Sequence, residues 1–205
     1  MQTFVINLNK FNSNYIYQKP FLENIGLKVN RFSAIDATNN DHLNYKHLIP
    51  DLILNFIPKS IIGCSLSHIL LANQIFKSGN PISLIMEDDA FPLFNKKQFQ
   101  IHLNQIINEI NILDKNWDII QLHSDAPFPT PETYSNHIFS GSTAAYLISH
   151  KGAQKLAKEK VYWHADIHTS INSNIDLKNN YKSILKRGIE EIEILNNYKF
   201  RKIDK

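Results

Sequence analysis

The chain has 205 residues, 43% hydrophobic and 20% charged, the make-up of one globular domain able to bury a core. A formal charge of +3, from 22 basic against 19 acidic residues, is too small for a nucleic-acid surface, and the basic residues are scattered. The only cysteine, Cys64, excludes an internal disulfide framework and a cysteine-built zinc site, and suits a reducing compartment.

No apolar run is long enough to cross a bilayer; Ile82 to Met86 is typical. The opening residues Met1 to Asn7 lack a basic region before an apolar stretch, so no secretory signal is expected and a cytoplasmic protein is. The basic residues concentrate only from Lys178 to Lys205. That stretch reads as a solvated charged face, with weak attraction to an anionic membrane surface as the alternative.

In chain order, Thr3 to Asn7 predicts a buried strand, and Tyr15 to Asn24 a helix closed by Gly26. Val29 to Ala34 predicts a second strand. Asp36 to Lys59, polar and interrupted by Pro50 and Pro58, is expected to be a loop-rich excursion. From Ser60, the spacing of Ile62, Leu66, Ile69, Leu70 and Phe76 predicts a helix ending at Gly79-Asn80-Pro81. Ile82 to Met86 is the clearest strand, followed by a helix over Gln98 to Leu113 and a strand over Trp117 to Leu122. Asp125 to Pro131, with three prolines, predicts a loop; Ser142 to Ser149 a strand; Lys151 to Glu159 a helix. Alternating strands and helices indicate an α/β fold around a mostly parallel sheet.

The chemistry concentrates at Glu87-Asp88-Asp89, directly after the clearest strand. In open α/β sheets, ligands bind beyond the carboxyl ends of strands. Continued extended geometry would send Glu87 and Asp89 to one side and Asp88 to the other. Three adjacent carboxylates repel one another unless a cation compensates them, and Mg²⁺ or Mn²⁺ takes such oxygen ligands. The same residues also suit an inert, solvated acidic turn.

Four segments stand in order along the chain: Phe4-Val5-Ile6-Asn7-Leu8, Arg31-Phe32-Ser33-Ala34-Ile35-Asp36, Ile62-Gly63-Cys64-Ser65-Leu66-Ser67-His68 and Leu84-Ile85-Met86-Glu87-Asp88-Asp89-Ala90. Together they resemble glycosyltransferase family 25, the lipooligosaccharide galactosyltransferase-like family that includes collagen galactosyltransferase domains. A fifth, Gly141-Ser142-Thr143-Ala144-Ala145-Tyr146-Leu147-Ile148-Ser149 with Gly152-Ala153, is similar to the family's later Gly-Thr-Ala-Ala-Tyr segment. The ordered set is specific where each segment alone is not.

The resemblance implies a GT-A-like single domain over residues 1–175, with a Rossmann-like sheet flanked by helices. Residues 176–205 would form a helical or flexible tail. It also implies a UDP-sugar donor, most often UDP-galactose, a divalent ion (Mn²⁺ or Mg²⁺), inversion at the anomeric carbon, and a glycan or glycolipid acceptor. The implied ion is held by Asp89 with Glu87 and His168. Asn7, Ser67, His68, Glu87, Asp88 and Gly141 would line the donor, Glu87 towards the ribose and Asp88 as an orienting group.

Inversion needs a base for the acceptor hydroxyl. The resemblance points to Asp166, in Tyr162-Trp163-His164-Ala165-Asp166-Ile167-His168. Tyr162 and Trp163 read either as core aromatics or as rings stacked on a sugar. His164 and His168 have a metal-ligand spacing, but Ala165 stands where a zinc protease carries its glutamate. His68 serves donor contact or helix capping and packing equally well, and Cys64 reads as a buried thiol. His123-Ser124-Asp125 is no triad, since sequence neighbours rarely meet as one. No nucleophile elbow, dinucleotide fingerprint or phosphate-binding loop occurs.

The chain departs from the family in carrying Asn9-Lys10 where Asp-Arg is usual. It also has only Thr169 to Lys205 where a further proline-containing stretch is expected. Ile184, Ile189, Ile192 and Leu195 would line one face of a terminal helix. The competing readings are a degenerate domain that binds nucleotide-sugar or a partner without turnover, and a metal-dependent phosphohydrolase.

Overall fold

A computed structural model describes residues 1–91, 95–113, 116–122, 143–162 and 165. Its five strands are β1 (Gln2–Asn7), β2 (Val29–Ser33), β3 (Ile82–Glu87), β4 (Ile119–Gln121) and β5 (Ala145–Ser149). They form one sheet in the order β2-β1-β3-β5-β4. β1 pairs in parallel with β2 and β3, whereas β5 pairs antiparallel with β3 and β4. Four strands therefore point one way, and β5 alone runs against them. The α/β class and the mostly parallel sheet expected from the sequence are present.

Among the described residues, five helices flank the sheet: α1 (Asn12–Asn24), α2 (Asp51–Phe56), α3 (Lys59–Ser78), α4 (Lys96–Leu113) and α5 (His150–Leu156). Side chains alternate across each strand, so both faces need cover. Phe4, Ile6, Ile85, Tyr146 and Ile148 pack with Ile62, Leu66, Ile69 and Ile75 of α3 and with Ala153 and Leu156 of α5. Val5, Leu84, Met86, Ala145 and Leu147 pack on the other face with Leu22 of α1 and Phe99 and Leu103 of α4. The result is a three-layer sandwich whose central strands are sealed on both sides.

The excursion from Asp36 to Lys59 is more helical than expected. Two 3₁₀ segments, Ala37–Asn39 and Asp41–Leu48, precede α2. Asp36 starts the first by accepting from the Thr38 amide at 3.1 Å, and Asn40 adopts the left-handed conformation between the two. Such short turns carry no apolar period long enough to read in sequence. Beside them, a Cβ on Gly63 would lie 2.5 Å from the Ile35 carbonyl oxygen, so only glycine lets α3 approach so closely. There Ser67 Oγ donates to the Gly63 carbonyl at 2.6 Å and accepts from the Ile35 amide at 2.9 Å. This pair of hydrogen bonds at Ser67 fixes the height of α3 against the exit of β2. Among the described residues, no helix is long and apolar enough to cross a membrane.

Candidate active site

The carboxyl ends of β1, β2, β3 and β4 and the start of β5 share one rim of the sheet. β3 ends at Glu87, and the chain turns at once, with the Ala90 amide donating to the Glu87 carbonyl at 3.2 Å. The extended alternation considered for the three carboxylates therefore does not continue past Glu87. The turn instead sends Asp88 towards β1 and α1, while Glu87 faces β5 and α3.

On the β1 side, the Asn7 carboxamide is buried and donates to Asp88 Oδ2 at 2.6 Å and to the Phe11 carbonyl at 2.9 Å. Its own oxygen accepts from Arg31 Nε at 2.8 Å. Asn14 adds a longer bond to Asp88 Oδ2 at 3.4 Å. Arg31 Nη2 also donates to Asn9 Oδ1 at 2.8 Å, and Ser33 Oγ donates to the same atom at 3.1 Å. Lys10 pairs with Asp36 at 2.8 Å, which holds the Asp36 carboxyl below its ordinary range; the Thr38 bonds reinforce this. The two positions that depart from the family thus brace β1 against the exit of β2.

Beneath the turn, fully buried Gln18 of α1 donates from Nε2 to the carbonyls of Glu87 at 2.8 Å and Ala90 at 2.5 Å. On the β5 side, Thr143 Oγ1 donates to Glu87 Oε1 at 2.7 Å. His68, 2% exposed in the middle of α3, lies with Nε2 3.8 Å from Glu87 Oε1 and Nδ1 2.8 Å from Tyr146 Oη. That position is far from the helix start, which excludes a capping role for His68. Burial pushes the Tyr146 phenol well above its ordinary value, and the nearby Cys64 and Glu87 charges push it further, so it stays a neutral hydroxyl. Cys64 is half-buried rather than sealed in the core, one helical turn before His68 and on the same side.

The structure brings Asn7, Glu87, Asp88 and Asp89 to one rim, with His68 close behind Glu87 and Ser67 deeper, against the Ile35 backbone. Gly141, His164, Asp166, His168, Trp163 and the tail from residue 176 lie outside the described residues, as does the expected loop at Asp125 to Pro131. Glu87, Asp88 and Asp89 are all half-buried and offer carboxylate oxygens, the donor type a hard divalent ion takes, but the turn points Asp88 and Glu87 to opposite sides, so the three do not converge on one point. Gln18, Arg31, Thr143 and Tyr146 were not singled out from sequence for this rim. Thr143 and Tyr146 stand inside a segment already noted, while Gln18 is marked only by being a polar residue on the buried face of a helix.

A profile of glycosyltransferase family 25, described as an LPS biosynthesis family, matches residues 1–171. Procollagen galactosyltransferase 1 of Danio rerio is 30% identical over 111 residues, 50% of this chain and 18% of that protein. Inactive glycosyltransferase 25 family member 3 of Mus musculus is 27% identical over 141 residues, 60% of this chain and 23% of that protein. The matched stretches thus span about a fifth of these relatives. With its ordered motifs gathered at one rim of an α/β sheet, and a profile match over most of its length, the chain belongs to glycosyltransferase family 25.

Proposed function

We propose that residues 1–175 form a metal-dependent, inverting glycosyltransferase domain. It would transfer a hexose, galactose in the first instance, from a UDP-sugar to a hydroxyl of a glycan such as lipooligosaccharide, or of a protein. The observation that carries this reading is the Asn7–Asp88 bond at the rim, which fixes the acidic turn where an α/β sheet binds its ligand. The similarity to a procollagen galactosyltransferase supports the sugar.

In this reading Asp89 and Glu87 hold a divalent ion, with His168 as a third ligand. The ion, Mn²⁺ or Mg²⁺, supplies positive charge against the pyrophosphate as the nucleoside diphosphate leaves. Asp88, locked by Asn7, orients the turn rather than ligating. Asn7, Glu87 and Gly141 face the donor, with Glu87 towards the ribose. Ser67 and His68 act from behind, holding α3 and the Glu87 carboxylate in place. Asp166 takes the proton of the acceptor hydroxyl as that oxygen attacks the face opposite the leaving group. The domain would act in the cytoplasm, with the basic stretch Lys178 to Lys205 solvated and its contact with a membrane face, where lipid-linked glycan is assembled, as the alternative.

A second reading, a degenerate domain that binds without turnover, is favoured by the similarity to a relative named inactive. Calorimetric titration of UDP and UDP-hexoses, with and without Mn²⁺, tests the first. Metal-dependent binding that disappears in Asp89→Asn is expected. Binding that is indifferent to both metal and Asp89 would overturn the metal assignment. Binding without transfer to any acceptor would favour the second reading.

A further inference from the structure

We propose that Cys64, His68 and Glu87 form a separate metal site for a borderline-soft divalent ion of the zinc class, set behind the acidic turn and sharing Glu87 with it. One ligand atom from each residue lies within 4.8 Å of the other two. Cys64 and His68 stand one turn apart on α3, and Glu87 meets them from the end of β3. Zinc bonds of about 2.0–2.3 Å place tetrahedral ligands roughly 3.5 Å apart, so the three need close by only about an ångström. The His68–Glu87 separation, 3.8 Å, is already near that spacing.

The imidazole supplies the independent sign of a ligand. His68 is 2% exposed, and its Nε2 has no hydrogen-bond partner among the described residues. A buried ring nitrogen in that state needs an explanation. In the tautomer that carries hydrogen on Nδ1, that nitrogen donates to Tyr146 Oη at 2.8 Å, and the Nε2 lone pair is directed at the Cys64–Glu87 side. An outer hydrogen bond of this kind fixes the ring of a metal-bound histidine. One cysteine cannot build an all-thiolate site, but a mixed sulfur, nitrogen and oxygen set is of the kind zinc accepts, and it leaves a fourth position open. The thiolate also selects against Mg²⁺ and Mn²⁺, which separates this site from the oxygen-only turn. Half-buried Cys64 gives the ion a way in, and its thiol proton leaves to solvent as the ion binds.

The test is a titration of Co²⁺ into the metal-free full chain, with Mg²⁺ in excess to fill oxygen-only sites. The expected result is a thiolate-to-cobalt charge-transfer band with the intense visible bands of a four-coordinate ion. Both should saturate at one ion per chain and be bleached by Zn²⁺. Cys64→Ser, nearly the same size, should abolish the charge-transfer band, with folding checked by circular dichroism. Tyr146→Phe should keep the band and weaken binding by about 10–100-fold, as loss of an outer partner does. A weak six-coordinate spectrum, unchanged in Cys64→Ser, would overturn the proposal. The readout needs no nucleotide, so its failure and a failure of UDP binding are separate results.

Discussion

The Asn7 carboxamide donates to the Asp88 carboxylate at 2.6 Å although the two residues are 81 positions apart, and the same side chain accepts from Arg31. One buried amide thereby joins the ends of β1, β2 and β3 at the rim. Asn7→Leu removes both partners' bonds while filling the space. Leaving Asp88 and Arg31 partly unsatisfied should cost about 1–3 kcal/mol, seen as a Tm lower by roughly 2–4 °C per kcal/mol. Calorimetry should also show weaker UDP binding in the presence of Mn²⁺. An unchanged Tm would show that the bridge contributes nothing.

The base is tested apart from the donor site. Asp166→Asn should lower transfer by roughly 10²–10⁴-fold while leaving UDP affinity in place, because general base catalysis contributes about that much. Transfer within a few-fold of the parent would remove Asp166 from the role.

Gly152 opens the first turn of α5, where Ser149 accepts from its amide at 3.0 Å. A Cβ there would overlap the Asp118 carbonyl oxygen, and this is backbone that cannot swing aside. Gly152→Ala should therefore destabilise by about 1–3 kcal/mol or more through overpacking, read as a lower denaturation midpoint. Lys151→Ala, one position away and exposed, is the control and should be close to neutral.

Tyr146 sets a pH dependence. Its folded pKa is raised well above the ordinary 10.0, chiefly by burial. Between the two values the unfolded chain has lost a proton that the folded chain keeps, so stability falls as pH rises above about 10. Denaturant midpoints measured from neutral to strongly alkaline pH should fall less steeply in Tyr146→Phe. Equal slopes would mean that another group governs the alkaline loss.

Much of the fold was legible because long periodic segments carry their own signal. The 20-residue α3 shows an apolar face at helical spacing, and β3 is a short, mostly apolar run between Pro81 and Glu87, interrupted only by Ser83. The 3₁₀ segments between Asp36 and Ile49 were not legible. Their geometry depends on a local cap at Asp36 and a left-handed residue at Asn40 rather than on a pattern.

The position of the acidic turn at the end of β3 was legible, but not the directions its carboxylates take. The turn at Glu87 to Ala90 is held by Gln18, which arrives from α1, 69 and 72 positions away. Cys64 read as buried because it stands in a mostly apolar helix. It is half-buried instead, beside His68 on its own helix and Glu87 at the end of β3.

The reversal of β5 has a consequence for how the rim can vary. β4 ends there and β5 begins there, with the Leu122 amide donating to the Ala145 carbonyl at 2.9 Å. Leu122 and Thr143, on either side of residues 123–142, therefore stand at a single doorway beside the Leu122–Ala145 bond. Segments of different length or composition can be exchanged at that doorway without shifting any ladder partner of the sheet. The carboxylates held by Asn7 and Thr143, and the turn held by Gln18, are anchored from outside that stretch and stay where they are.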